Sequence, residues 1–319
     1  MSIIEHMAAN KEAIKCIKEL YKREMLHAEV FKKLAAMERN VELKKILIRL
    51  VSLEAKHKGM WGQVLEINKV QKPKVSVVFY TGSIILIRRI FGLALSVKTI
   101  EYFEEQLHRK LDATTLSNMS GKERSIILAI DKDEHKQEEP LEAKIIEYGT
   151  ILTNIRDVAF GMNDGLVEIL AVVAGFGAAL RTPLLIAIAG FIVAISGTLS
   201  MAGGAYISTE YEKSVTEATG GSNQRTTPIR SAFFVGVPYF VGSLLPLLPF
   251  LFGMSGAGAI AISVLFTVMA LTVISMIISI VSNSDMLKRT TRTLMISLGA
   301  AAITIILGYY ARTAFNLSI

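Results

Sequence analysis

From about residue 157 onward the chain carries five apolar stretches, roughly 157–180, 183–207, 231–253, 256–282 and 294–311, each long enough to cross the ~30 Å hydrocarbon core of a bilayer. With no water inside that core, a crossing segment must satisfy its own backbone polar groups, which a helix does. Basic residues follow the segment ends. Lys213, Arg225 and Arg230 lie between spans two and three, and Lys288, Arg289 and Arg292 between spans four and five. By the positive-inside rule these loops and the N-terminal part face the cytoplasm, and an odd number of spans leaves the C-terminus outside a cell (cytoplasmic) membrane. The N-terminus itself is polar and charged, with no cleavable signal pattern.

Ahead of the spans, apolar residues recur at helical spacing from Ile14 to Met37 and from Leu43 to Ile67, with Asn40 as the break between two amphipathic helices. The apolar stretch Val75–Val97 is interrupted by Arg88 and Arg89 after about 13 residues, too few to cross a bilayer. It is expected to be a crossover between helix pairs, lying on the bilayer or in a dimer contact. A third helix from about Ser96 to Leu116 and a fourth from Ser120 or Gly121 to just before Pro140 complete the set. The fold class expected is all-α, with a four-helix bundle over 1–138, a linker and amphipathic approach helix over 139–156, and a five-span domain over 157–319.

Acids are distributed over these four helices in a matched way: Glu24; Glu54 with His57; Glu101 with Glu104; and Asp131 with Glu134 and His135. Glu24 and Glu54 are 30 residues apart, as are Glu101 and Asp131. If each interval is a helical hairpin, both acids sit about 20 Å from the turn, at ~1.5 Å per residue, and face each other. Spacing of i to i+3 keeps each cluster on one helix face. Six carboxylates and at least one imidazole converging in a bundle form the donor set of a carboxylate-bridged pair of metals. Hard oxygen donors with imidazole suit iron or manganese, whereas a structural zinc site would use thiolates this chain lacks. Surface acids would instead find Lys or Arg partners one turn away, as Lys58 partly offers. His27 and His108 are expected to be surface or packing groups.

The net charge is +7, but no basic run is interleaved with aromatics, so nucleic acid is not an expected partner. The single cysteine, Cys16, excludes an intramolecular disulfide and is expected to fill core space.

On the E-x-x-H of Glu54 and His57, the E-x-x-E of Glu101 and Glu104, and the D-x-x-E-H of Asp131, Glu134 and His135, the first part resembles the rubrerythrin branch of the ferritin-like family. That resemblance implies a di-iron centre, with manganese as an alternative metal, bridged by Glu54 and Asp131. Glu24, His57, Glu101, Glu104 and Glu134 would be terminal ligands, and His135 a ligand or its supporting partner. Asp131 stands where the family usually has Glu. There is no rubredoxin-like cysteine quartet, so a peroxidase cycle would lack its built-in electron donor.

The span-one run Gly161, Met162, Asn163, Asp164, Gly165, Leu166 is the most specific stretch. A span starting after it would have only about 15 residues before Arg181, so Asp164 and Glu168 are expected at membrane depth, with Asp157 on the same face. Acids there mark ion or proton paths. With Ser200, Met201, Gly203 and Gly204 in span two and the prolines of Leu244–Pro249 in span three, this half resembles the vacuolar iron transporter family. The resemblance implies a dimeric, proton-coupled exporter of Fe(II), or of Mn(II) in some members, with Asp164 and Met201 as metal ligands and Glu168 as a further ligand or proton acceptor. Ala205 replaces a common Glu, and of the long acidic helices of plant members only Glu210 and Glu212 remain as a metal intake. End to end, the chain resembles membrane-bound ferritin. The expected function is therefore Fe(II) export from the cytoplasm against protons by a homodimer. The alternative is a membrane-anchored ferroxidase or peroxide-reducing di-iron protein, so enzymatic activity stays open.

Overall fold

The computed structural model describes residues 3–74, 76–108, 121–147, 154–219 and 227–315, with only the backbone described over 3–12. The chain divides into two compact units, Met1–Leu152 and Thr153–Ile319.

In the first unit, α1 (Ile3–Met37) and α2 (Val41–Ile67) pair in opposite directions. Asn40 ends the break expected there: its side chain accepts from the backbone N–H groups of Glu42 at 2.9 Å and Leu43 at 3.2 Å, two donors that a helix start leaves orphaned. A short helix, α3 (Val78–Phe91), is the crossover, and Gly92, at φ +91°, turns the chain into α4 (Leu93–His108). Then come α5 (Gly121–Asp133), a π-helical turn (Glu134–Glu138) and α6 (Glu139–Glu147). The expected stretch of helix three up to Leu116, and Ser120, fall outside the described residues.

Arg88 lies outside the five spans and closes the end of α1. Its guanidinium donates to the carbonyls of Leu34 at 3.0 Å and Met37 at 3.2 Å and to Glu38 Oε2 at 2.8 Å, satisfying the open C-terminal end of α1. Arg88→Met is expected to cost the first unit about 1–3 kcal/mol, because the last carbonyls of α1 and Glu38 lose a charged donor. A urea midpoint unchanged by the substitution would show that α1 ends without this clamp.

Pro140 does not end the fourth helix. Proline removes a backbone donor and crowds the carbonyl four residues earlier, and the π turn answers this by widening the ladder, with Glu139 N–H bonding to Glu134 O. Leu141 and Ile145 then join the core with Phe31, Leu47, Leu50 and Val97. Residues 139–147 are thus a wall of the first unit rather than an approach helix, and the boundary between units falls after Leu152.

Five helices among the described residues are long and apolar enough to cross a membrane: α7 (Ile155–Ala179), α8 (Pro183–Ala218), α9 (Pro228–Leu251), α10 (Gly256–Val281) and α11 (Met286–Ala314). They make a multi-pass membrane unit. At ~1.5 Å per residue, the 36 residues of α8 reach about 54 Å, so its last turns, with Glu210 and Glu212, extend past a ~30 Å core.

Helix α7 packs on all four others, most extensively on α9. A Cβ at Gly161 would lie 2.0 Å from Val235 O, and one at Gly165 would lie 2.2 Å from Tyr239 O. Only glycine permits this backbone approach, the small-residue packing that membrane helices use in place of hydrophobic drive. Gly165→Leu is expected to abolish assembly of the membrane unit, read as loss of a monodisperse peak in detergent chromatography. A well-folded variant would show that the α7–α9 seam can open.

Candidate metal centre and membrane site

The core of the first unit is split. One apolar cluster contains Val30, Phe31, Leu34, Leu47, Leu50 and Leu53; the other contains Ile17, Leu20, Trp61, Val64, Leu65, Ile127 and Ile130. Between them α1, α2, α4 and the π turn each place charged or imidazole groups at one level: Glu24 and His27, Glu54 and His57, Glu104, then Glu134 and Glu138. Glu24, His27, Glu54, His57 and Glu138 are all buried, with Glu54 and both histidines at 0% exposure.

Two triads of donors stand out. Glu24, His57 and Glu134 bring one donor atom each within 4.8 Å of one another, and so do His27, Glu54 and Glu104. His27 Nδ1 lies 3.4 Å from Glu54 Oε1 and 3.6 Å from Glu104 Oε2. On the other side His57 Nδ1 lies 3.4 Å from Glu138 Oε2 and 3.9 Å from Glu24 Oε2. Trp61 Nε1 donates to Glu24 Oε1 at 3.0 Å, and Tyr80 of α3 stacks on His27 with ring centroids 6.0 Å apart.

Neither oxygen of Glu54 or of Glu138, nor Oε2 of Glu24, has a hydrogen-bond partner among the described residues. Burial, then the charges of Glu138 and Glu24, hold the Glu54 carboxyl well above the usual range, and Glu104 is raised by burial and then by Glu138 and Glu24. Burial is also the largest cause for Glu24, pushed to about 7, for Glu138, to about 8, and for Glu134, to about 9. So many carboxylates, buried without donors, are costly to a metal-free fold. A pair of divalent cations would supply the missing positive charge, and hard oxygens with imidazole suit iron or manganese. E-x-x-H motifs from two helices with acids from the other two are close to the pattern of carboxylate-bridged metal pairs, with Glu134 and Glu138 both coming from the fourth element.

Titration follows with a definite sign. Folded-state pKa values above the ordinary 4.5 mean that the native state binds more protons than the unfolded chain between pH ~4.5 and pH ~9. Stability of the metal-free bundle is therefore expected to fall as pH rises through that window. Divalent metal should reverse the loss, as thermal unfolding with and without Mn(II) at pH 5, 7 and 9 would show. Melting temperature rising with pH in the metal-free protein would contradict it.

Three expected ligands are placed elsewhere. Asp131 and His135 are 57% and 63% exposed and face each other on the outer surface at 3.6 Å, with His135 Nδ1 2.6 Å from Glu139. The fourth helix is oriented by Ile127 and Ile130, and one turn on from Ile130 the inward position is Glu134, followed by Glu138 and Glu142. Glu101 pairs with Lys98 instead. The sequence reading missed His27, Glu138 and Glu142. A signal for His27 was present, because Glu24 and His27 repeat the E-x-x-H spacing of Glu54 and His57. The side chain of His108 lies outside the described residues, and Cys16 packs against the core as expected.

In the second unit, α7 and α9 run in parallel with a constant register: Asp157 meets Ser231, Gly161 meets Val235, and Gly165 meets Tyr239. Ser231 Oγ donates to Asp157 Oδ2 at 2.9 Å, and Tyr239 Oη donates to Glu168 Oε2 at 2.6 Å. Asp164, half-buried, sits between these two bonds, about 14 Å along α7 at ~1.5 Å per residue. From α8, Gly197 receives the Tyr239 hydroxyl, and Ala202 packs on Gly236 of α9. Met201, half-buried and adjacent to Ala202, thus shares the level of Asp164 across α9. A Cβ at Gly203 or Gly204 would meet nothing within 4 Å among the described residues. Glu210 and Glu212 are exposed on the projecting end of α8, and Arg225 lies outside the described residues.

The model of the VIT family matches residues 155–227 and 215–309. The membrane unit is a VIT family domain. This domain carries the GMNDGL run, whose two glycines form the α7–α9 seam around Asp164. The chain is also 26% identical, over 158 residues, to "Vacuolar iron transporter homolog 4" of Arabidopsis thaliana, covering 47% of this chain and 80% of that protein.

Proposed function

We propose that the protein is a homodimeric exporter of Fe(II), with Mn(II) as a second substrate, whose VIT domain moves metal out of the cytoplasm in exchange for protons. The observation that carries this reading is the row of acids on α7, Asp157, Asp164 and Glu168, lying against α9 within a family of membrane domains whose Arabidopsis relative is named for iron transport. Acids at membrane depth are costly and serve ion or proton paths. Asp164 with Met201 holds the metal, and Glu168, bonded to Tyr239, exchanges protons. Protonation from the outer side weakens the negative charge that holds the cation, which favours release there. The basic flanks Lys213, Arg230, Lys288, Arg289 and Arg292 support a cytoplasmic face for the adjoining loops. Gly203 and Gly204, where a Cβ would meet nothing within 4 Å among the described residues, support close approach by a second copy.

The first unit is, on this reading, a ferritin-like bundle that captures or senses metal. Glu24, His57 and Glu134 would hold one ion and His27, Glu54 and Glu104 the other, with Glu138 taking the bridging place expected for Asp131. Such a pair supplies reversible binding and, with iron, one-electron chemistry. Trp61 on Glu24 and Tyr80 on His27 favour a second reading, in which the bundle oxidises Fe(II) with dioxygen or peroxide and the spans chiefly anchor it.

Proteoliposome flux with Fe(II), Mn(II) and Zn(II) across a set pH gradient tests the proposal. Fe(II) and Mn(II) movement that follows the proton gradient, with Zn(II) slower, is expected. Absence of flux alongside rapid Fe(II) oxidation would favour the anchored oxidase.

A further inference from the structure

Beyond the two triads, the acidic layer continues. Glu142 lies one helical turn after Glu138 on α6, is only 4% exposed, and its Oε1 has no hydrogen-bond partner among the described residues. Helices α4 and α6 pack together, and across that contact stands Glu101, whose Oε2 is likewise buried without a hydrogen bond. The other oxygen of Glu101 accepts from the Lys98 ammonium, one turn away. Burial, then the charges of Glu138 and Glu101, raise the Glu142 carboxyl, and Lys98 opposes this.

A buried carboxylate oxygen without a donor needs a cation or a proton, and the open oxygens of Glu142 and Glu101, on helices that pack together, are hard donors of the kind a divalent cation takes. Lys98 is a cation already bound to this group through Glu101. We propose that Glu101 and Glu142 form a third site for a divalent, oxygen-preferring cation, adjoining the metal pair through Glu138, with Lys98 as a tethered ammonium that the metal displaces. The site is a waypoint: cations reach or leave the pair along Glu101, Glu142 and Glu138, and Lys98 keeps occupancy transient.

This inference extends the two-metal reading, and the two can fail separately. Mn(II) titration of the full-length protein in detergent, followed by EPR, measures both the number of ions bound and whether two of them are exchange-coupled. Glu142→Gln is expected to remove one Mn(II) equivalent while keeping the coupled pair. Lys98→Met should tighten that same equivalent by roughly tenfold, because it removes the competing charge. A role in packing alone would not predict the gain in Lys98→Met. Unchanged stoichiometry and affinities in Glu142→Gln would overturn the third site, and so would loss of the coupled pair in that variant, since Glu142 would then belong to the pair. A wild type without coupled Mn(II) would defeat the two-metal reading, whereas an equivalent sensitive to both substitutions would still uphold a cation site at Glu101 and Glu142.

Discussion

Glu54→Gln is expected to raise the melting temperature of the metal-free protein while abolishing metal binding by the bundle. The two effects have one cause. Glu54 is fully buried, lacks a hydrogen-bond donor and is surrounded by Glu24, Glu104 and Glu138, so its charge opposes folding until a cation arrives. Neutralising this group removes a buried charge that the surrounding acids repel, so the metal-free fold should gain stability. Melting curves with and without Mn(II) check both parts: the variant should melt above wild type without metal and gain nothing from it. A variant that melts lower without metal would mean that the Glu54 carboxylate contributes a favourable contact of its own, and the metal account would lose its energetic basis.

Asp164→Asn is expected to reduce metal flux by two orders of magnitude or more, with bundle metal content unchanged. The substitution keeps size and removes the charge on the α7 face between the Ser231–Asp157 and Tyr239–Glu168 bonds. Because Gly161 and Gly165 hold the α7–α9 seam without Asp164, folding should survive. Flux in proteoliposomes and metal analysis of purified protein separate the outcomes. Full transport by the Asn variant would move the path away from α7, and loss of bundle metal would show that Asp164 acts through folding.

Spans were legible because twenty apolar residues in a row admit few alternatives, yet their ends were not. Helix α8 continues to Ala218 through a polar stretch that contains no Gly or Pro, and α11 begins at Met286, where Asp285 accepts the Lys288 backbone N–H at 3.1 Å. Hydropathy does not see polar helix. In the first unit the acids of α1, α2 and α4 were readable from spacing. The fourth helix was misread because D-x-x-E-H was treated as one face, while Ile127 and Ile130 set the orientation and the π turn ahead of Pro140 carried Glu138 and Glu142 inward. His27 was overlooked as a lone histidine, although its burial depends on Glu54 and Glu104, which are distant in sequence. Tyr80 came from a segment read as a crossover, and its stacking on His27 follows from the way α3 folds back along α1.

We propose that buried acids and histidines from separate helices of the first unit hold two metal ions together. Loading the full-length protein with Mn(II) and recording its EPR spectrum tests this most directly. Two ions sharing carboxylates about 3.5–4 Å apart should give an exchange-coupled signal, lost in Glu54→Gln. A spectrum of isolated, weakly bound Mn(II), the same in wild type and in that variant, would contradict it.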